Sequence, residues 1–113
     1  MPVTAENFRD LALSLPEAIE SSHMGHVDFR CQGKIFATLG YPNEGYGVLK
    51  LTPEQQQPLL KDSPATFAPC AGVWGQRGAT SVRLASAKAG AMRPLLEIAR
   101  RNLDSKPPKN KPA

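Results

Sequence analysis

The 113-residue chain is long enough to bury one core but not two, and its composition, 41% hydrophobic and 21% charged, is that of a globular domain. No apolar run approaches the ~20 residues of a membrane span, and no basic segment followed by an apolar run opens the chain as a secretory signal would. The formal charge of +4 is unevenly spread: residues 1–75 carry five basic groups against eight acidic ones, net −3, and residues 76–113 carry nine against Glu97 and Asp104, net +7.

Basic charge gathered in one part of a fold is an electrostatic footprint for polyanions. Three of those nine groups fall in the closing SKPPKNKPA, which reads as a solvated, disordered tail from residue 105 after a single domain over 1–104. Cys31 and Cys70 are expected to be reduced thiols of a cytoplasmic protein.

In chain order, Thr4 is a good N-cap, with Val3 and Phe8 placed as a hydrophobic staple. Phe8, Leu11, Ala12 and Leu15 follow with the spacing of one buried helical face, which Pro16 ends. Residues 17–25 read as a polar connection. HVDFRCQGKIFATLG then reads as two strands around a turn.

A two-residue turn at Gln32-Gly33 would place Phe29 beside Phe36. A three-residue turn, Cys31-Gln32-Gly33, aligns Val27, Phe29, Ile35, Ala37 and Leu39 on one face and leaves Asp28, Arg30, Lys34, Phe36 and Thr38 on the other. The consistent apolar face favours the second option.

YGVLKL forms a third strand. Thr52-Pro53-Glu54-Gln55 opens a helix with a capping box and proline at its first position, and Pro58 should make it a short or distorted one ending near Lys61. DSPATFAPCA reads as an ordered loop anchored by Phe67. GVWGQRGATSVRL reads as a second hairpin with Arg77 at its tip: Trp74, Thr80, Val82 and Leu84 face the core, while Ser81 and Arg83 face out. Met92, Leu95, Leu96, Ala99 and Leu103 make the stripe of a last helix that begins between Ser86 and Arg93. The order α-β-β-β-α-β-β-α describes an α+β domain, an antiparallel sheet with helices on one face.

Chemistry-bearing constellations are few. His23 and His26, with Asp28 and Cys31 nearby, are metal-ligand types, but a closed site needs three or four converging ligands and strand alternation sends Asp28 away from Cys31. A structural or capping role for the histidines is favoured. Neither cysteine has a base within reach, the carboxylates look solvated, and GVWGQRG lacks the lysine and the strand-to-helix context of a phosphate loop. No catalytic residues, metal site or cofactor are therefore expected. The polar sheet face is the better candidate: Arg30, Lys34, Phe36, Arg77 and Arg83 combine cations for phosphates with an aromatic ring for a base.

The stretches TAENFRDLALSLPEA, SSHMGHVDFRCQGKIFATLG, LKLTPEQQQPLL and GVWGQRGATSVRL, with the closing amphipathic helix, resemble the MmcQ/YjbR family of small bacterial proteins over about residues 3–103. The resemblance implies a CyaY-like (frataxin-like) fold, a curved antiparallel sheet backed by the terminal helices. It also implies DNA binding through a "double wing" of hairpins, here residues 27–39 and 73–84. This chain departs from the family pattern at Val27, where relatives often carry proline, and at Ala79, where they often carry a bulky aromatic. Frataxins bind iron through an acidic ridge, and Glu6 and Asp10 around Arg9 supply too little negative charge for one. The expectation is a cytoplasmic, non-enzymatic DNA-binding module. The alternatives are a protein-interaction or regulatory module and, third, a metal protein using His23 and His26.

Overall fold

A computed structural model describes residues 3–104 of the protein, apart from residues 24 and 42; the expected tail at 105–113 lies outside the described residues. The first helix, α1 (Ala5–Leu13), starts where the sequence says it should. The Thr4 hydroxyl accepts the Asn7 N–H at 3.0 Å, and the Asn7 side chain accepts the Thr4 N–H at 3.2 Å, so two otherwise orphaned donors are satisfied. Four strands follow: β1 (Ala18–His23), β2 (His26–Cys31), β3 (Lys34–Leu39) and β4 (Tyr46–Lys50). After α2 (Pro53–Asp62) come β5 (Phe67–Pro69), the short helix α3 (Gly72–Gln76), β6 (Ala79–Arg83), a 3-10 turn (Leu84–Ser86) and α4 (Ala89–Asp104).

The strands form one open antiparallel sheet in the order β1-β2-β3-β4-β6-β5. The expected α+β class with an antiparallel sheet and helices on one face is observed. Phe29, Cys31, Ala37, Leu49 and Val82 of the sheet meet Phe8, Ala12 and Leu15 from α1 and the turn after it, and Met92, Leu96 and Ala99 from α4. Leu59 and Leu60 of α2 pack on the same core. Each large apolar side chain so buried contributes about 1.5–3 kcal/mol, and this layer holds the domain together. Pro58 and Pro94 both lie inside continuous helices; α2 ends at Asp62, beside the expected Lys61, and α4 begins at Ala89, within the expected interval.

The first hairpin resolves the register question in an unexpected way. Cys31 pairs with Lys34, so the turn has two residues, and Gln32 and Gly33 both take positive φ (55° and 80°). That is the backbone of a type I′ turn, whose twist suits a hairpin and whose second position glycine occupies without strain. Ile35 then pairs with Arg30, as a two-residue turn requires, yet Phe29 pairs with Ala37, one residue beyond that register, which puts the two on the shared face that the three-residue turn would also have given. A bulge at Phe36 absorbs the extra residue and restores the apolar face. The bulge also turns Phe36 into the core, where it is fully buried. The expectation of an exposed aromatic at Phe36 is therefore corrected.

The second hairpin is not there. Residues 72–76 form α3, and β6 pairs instead with β4 and with β5, the segment read as a loop. Thr80, Val82 and Leu84 are buried as expected, but Trp74 leaves the main core. It packs against the opposite side of the sheet with Tyr41, Val48, Cys70 and Ala79. Gln56 of α2 secures this end: its buried amide nitrogen lies 3.2 Å from the Gly75 carbonyl, 3.1 Å from that of Ala79 and 3.2 Å from the Thr80 hydroxyl. β1, read as a connection, is an edge strand paired with β2 along its whole length.

Candidate nucleic-acid interface

The candidate functional groups lie on the side of the sheet away from α1 and α4 and at the sheet end that the last turn of α4 closes. Cα pairing aligns Ser21, Asp28, Thr38, Val48, Ser81 and Ala68 in one row across all six strands. The row is far from a simple solvated face, because Asp28, Thr38, Val48 and Ser81 are all buried. Trp74 of α3 and Tyr41 of the β3–β4 loop pack on Val48.

Asp28 is the centre of a polar network. Its carboxylate, 0% exposed, accepts hydrogen bonds from Arg30 Nε at 2.7 Å and Nη2 at 3.1 Å, and lies 2.6 Å from His23 Nδ1. A carboxylate is only tolerable at such depth when its lone pairs are matched by charged donors. The Arg30 guanidinium beside it, more than the His23 contact, holds the Asp28 carboxyl below the usual carboxylate range against the opposing effect of burial. Asp28 in turn pushes Arg30 upward. His23 reaches Asp28 because β1 is a strand: Ser21 pairs with Asp28, and His23 lies two residues along the same face.

Two recesses flank this network. At one end of the sheet an open groove of about 510 Å³ is lined by Arg30, Gly33, Lys34, Ile35, Lys50, Leu51, Thr52, Asn102 and Leu103, three cations and no acidic side chain. Its wall is fixed by amides: Gln55 and Asn102 exchange hydrogen bonds at 3.2 and 2.9 Å, and Asn102 Nδ2 also donates to the Lys50 carbonyl at 3.2 Å. Those contacts tie the end of α4 to β4 and to the first turn of α2. Toward the other end, His23, His26, Thr38, Tyr41 and Trp74 line a pocket of about 320 Å³. Its rings meet edge to face, His26 on Tyr41 at 5.5 Å and Tyr41 on Trp74 at 5.6 Å between centroids. Lys50 links the two recesses, since it lines the groove and its Nζ stands 5.8 Å from the Trp74 ring.

Of the five residues singled out from the sequence, Arg30 and Lys34 meet in the groove. Arg77, exposed at the C-terminus of α3, stands at the same end of the sheet, because Lys50 pairs with Ala79 two residues further on. Arg83 pairs with Tyr46 at the far end and does not join them. Phe36 is in the core. Sequence reasoning missed Lys50, although alternation in YGVLK puts Tyr46, Val48 and Lys50 on one face. It also missed Tyr41, hidden in a loop of glycine, proline and asparagine.

Among the described residues no cluster of three or more His, Cys, Asp or Glu could hold a metal ion, and His23 is engaged by Asp28. Cys31 and Cys70 are both free and buried, and burial pushes the Cys70 thiol up to about 11. No helix among the described residues is long and apolar enough to cross a membrane.

Comparison with known proteins agrees with this architecture. A crystal structure of the Deinococcus radiodurans protein DR2400, with a DUF419 domain, superposes with a TM-score of 0.78 over 92% of this chain and 80% of that one, at 19% identity. That likeness is one of fold. No curated protein matches the chain. The YjbR family model matches residues 13–102, from the end of α1 to the last turn of α4 and so across the whole sheet, and the chain belongs to the YjbR family.

Proposed function

We propose that this protein is a DNA-binding module rather than an enzyme, and that it holds the phosphate backbone in the groove of Arg30, Lys34 and Lys50. The observation that carries the reading is an open groove lined by three cations and no carboxylate, gathered from β2, β3 and β4 of the half of the chain that is net negative. Asp28 turns the Arg30 fork into a fixed donor, while Lys34 is exposed in the hairpin turn, where its ammonium can follow a backbone. Arg77 extends the positive end, and the chain continues past Leu103, a groove residue, into a segment with Lys106, Lys109 and Lys111. Because the Arg30 charge is already matched by Asp28, neutralising about two phosphates with Lys34 and Lys50 makes binding depend on salt with a log–log slope near −1.4 for a single strand, a loss of roughly sevenfold between 50 and 200 mM.

The test is fluorescence anisotropy of a labelled oligonucleotide of about 16 nucleotides, using the full chain and a version ending at residue 104. Saturable, salt-sensitive binding by both proteins supports the groove. Binding confined to the full chain assigns it to the tail, and no binding to either protein at about 50 mM salt rules the reading out.

A further inference from the structure

We propose that the pocket of His23, His26, Thr38, Tyr41 and Trp74 is a nucleobase site, so that the DNA held in the groove is single-stranded and places one base against the aromatic rings. For the strand as the source of that base, this rests on the groove reading above; the pocket itself stands on its own geometry.

The size comes first. At about 320 Å³ the recess is at the small end of ligand pockets, with room for one ring system and not for the edge of a duplex. Its lining is three aromatic rings with two polar groups, the Thr38 hydroxyl and the His23 imidazole. Trp74 and Tyr41 are only half buried, so neither is fully used by the core that Val48, Cys70 and Ala79 make beneath them. Every base has a π-face for such rings, and an unpaired base also exposes the amino and carbonyl edge that duplex pairing conceals.

The polar side of the pocket is set in advance. Asp28 sits at hydrogen-bond distance from His23 Nδ1, which places the neutral imidazole's proton on that nitrogen and leaves Nε2 as the acceptor. The Asp28 carboxylate is anchored independently by two contacts from Arg30, so the ring is held before any ligand arrives. An acceptor beside aromatic walls suits the exocyclic amine or ring N–H of a base. Connectivity completes the case. Lys50 belongs to the phosphate groove and reaches the Trp74 ring, so a backbone crossing Lys50 delivers its base to Trp74.

Trp74 is the only tryptophan, so its emission reports directly on occupancy of the pocket. The full chain is titrated with a single strand of about eight nucleotides, with a hairpin duplex of the same sequence, with a nucleoside monophosphate and with inorganic phosphate. The expected result is saturable quenching by the single strand, with affinity about tenfold or more above that of the duplex. Tyr41→Ala and, as a gentler second variant, His23→Gln should each weaken single-strand binding by roughly tenfold, the scale of one lost base stack, with folding checked by circular dichroism. Quenching by the monophosphate as strong as by the strand supports the nucleobase site and makes a free nucleotide its source. If the strand binds by anisotropy with the expected salt dependence yet Trp74 emission does not change, the pocket proposal falls and the groove survives. If no strand binds but the monophosphate quenches, the groove falls and the pocket survives. Equal quenching by inorganic phosphate overturns the base site.

Discussion

Replacing Asp28 by alanine is the sharpest perturbation of the polar network between the two recesses. The substitution removes a fully buried carboxylate that accepts from Arg30 at 2.7 and 3.1 Å and contacts His23 at 2.6 Å. Hydrogen bonds to charged groups contribute about 1.5–3 kcal/mol each, and breaking a buried pair costs about 3–5 kcal/mol when the surviving charge is stranded. Here the survivors are not stranded, because the side chains of Arg30 and His23 remain 29% and 38% exposed and can turn to water. The expected loss is therefore about 2–4 kcal/mol, which for a domain of this size lowers Tm by roughly 10–25 °C.

The sign of the pH dependence follows from the lowered Asp28 pKa. A carboxyl depressed in the folded state stabilises fully above its unfolded value, near ~3.9, and that stabilisation is lost as pH falls from there through the folded value. Thermal melts of both proteins at about pH 7 and at pH values stepping below about 4 should show a large gap that narrows with acid. A gap below about 1 kcal/mol at neutral pH, or one that does not narrow, refutes the account of the network.

Other outcomes follow from the packing. Phe36→Ala should cost about 3–5 kcal/mol in chemical denaturation, as a core phenylalanine does, whereas an exposed stacking residue would cost almost nothing. Gly78→Ala should cost at least about 3 kcal/mol, because Gly78 sits at φ +109° and a Cβ there would lie 2.0 Å from the Leu51 carbonyl oxygen; denaturation midpoints measure it. Both thiols should resist a thiol reagent near neutral pH in the native state and react on unfolding, Cys70 because it is buried and its pKa is about 11. Rapid native labelling of Cys70 would contradict its placement beneath Trp74.

Elements with a local chemical signature were legible in the sequence. Thr4 and Thr52 announced α1 and α2 through their caps, and the apolar stripes of α1 and α4 named their buried faces. β1 was not legible because an edge strand with no fully buried side chain need not alternate, and AIESSH does not. β5 is three residues long and ends in proline. α3 was read as a strand because Gln76-Arg77-Gly78 looks like a hairpin turn; the Gly75 carbonyl of the helix is instead held by the Gln56 amide, a partner distant in sequence. The same gap hid the centre of the site. With β1 taken as a connection, His23 had no reason to lie beside Asp28, and Arg30 was read as a free cation although it is half of an ion pair. Lys34 and Arg77 are exposed as expected, because placing cations beside turns at the surface needs no tertiary knowledge. The groove itself comes from α4 returning across the sheet, and only the folded chain supplies that.

The account's central claim is that Arg30, Lys34 and Lys50 hold DNA phosphates in that groove. It is tested most directly by the salt dependence of single-strand affinity in the full chain and in a Lys34→Ala, Lys50→Ala double variant. Each phosphate contact removed should reduce the magnitude of the log–log slope by about 0.7, so the double variant should lose about 1.4. A variant that binds with an unchanged slope would contradict the claim, because the phosphates would then be held elsewhere.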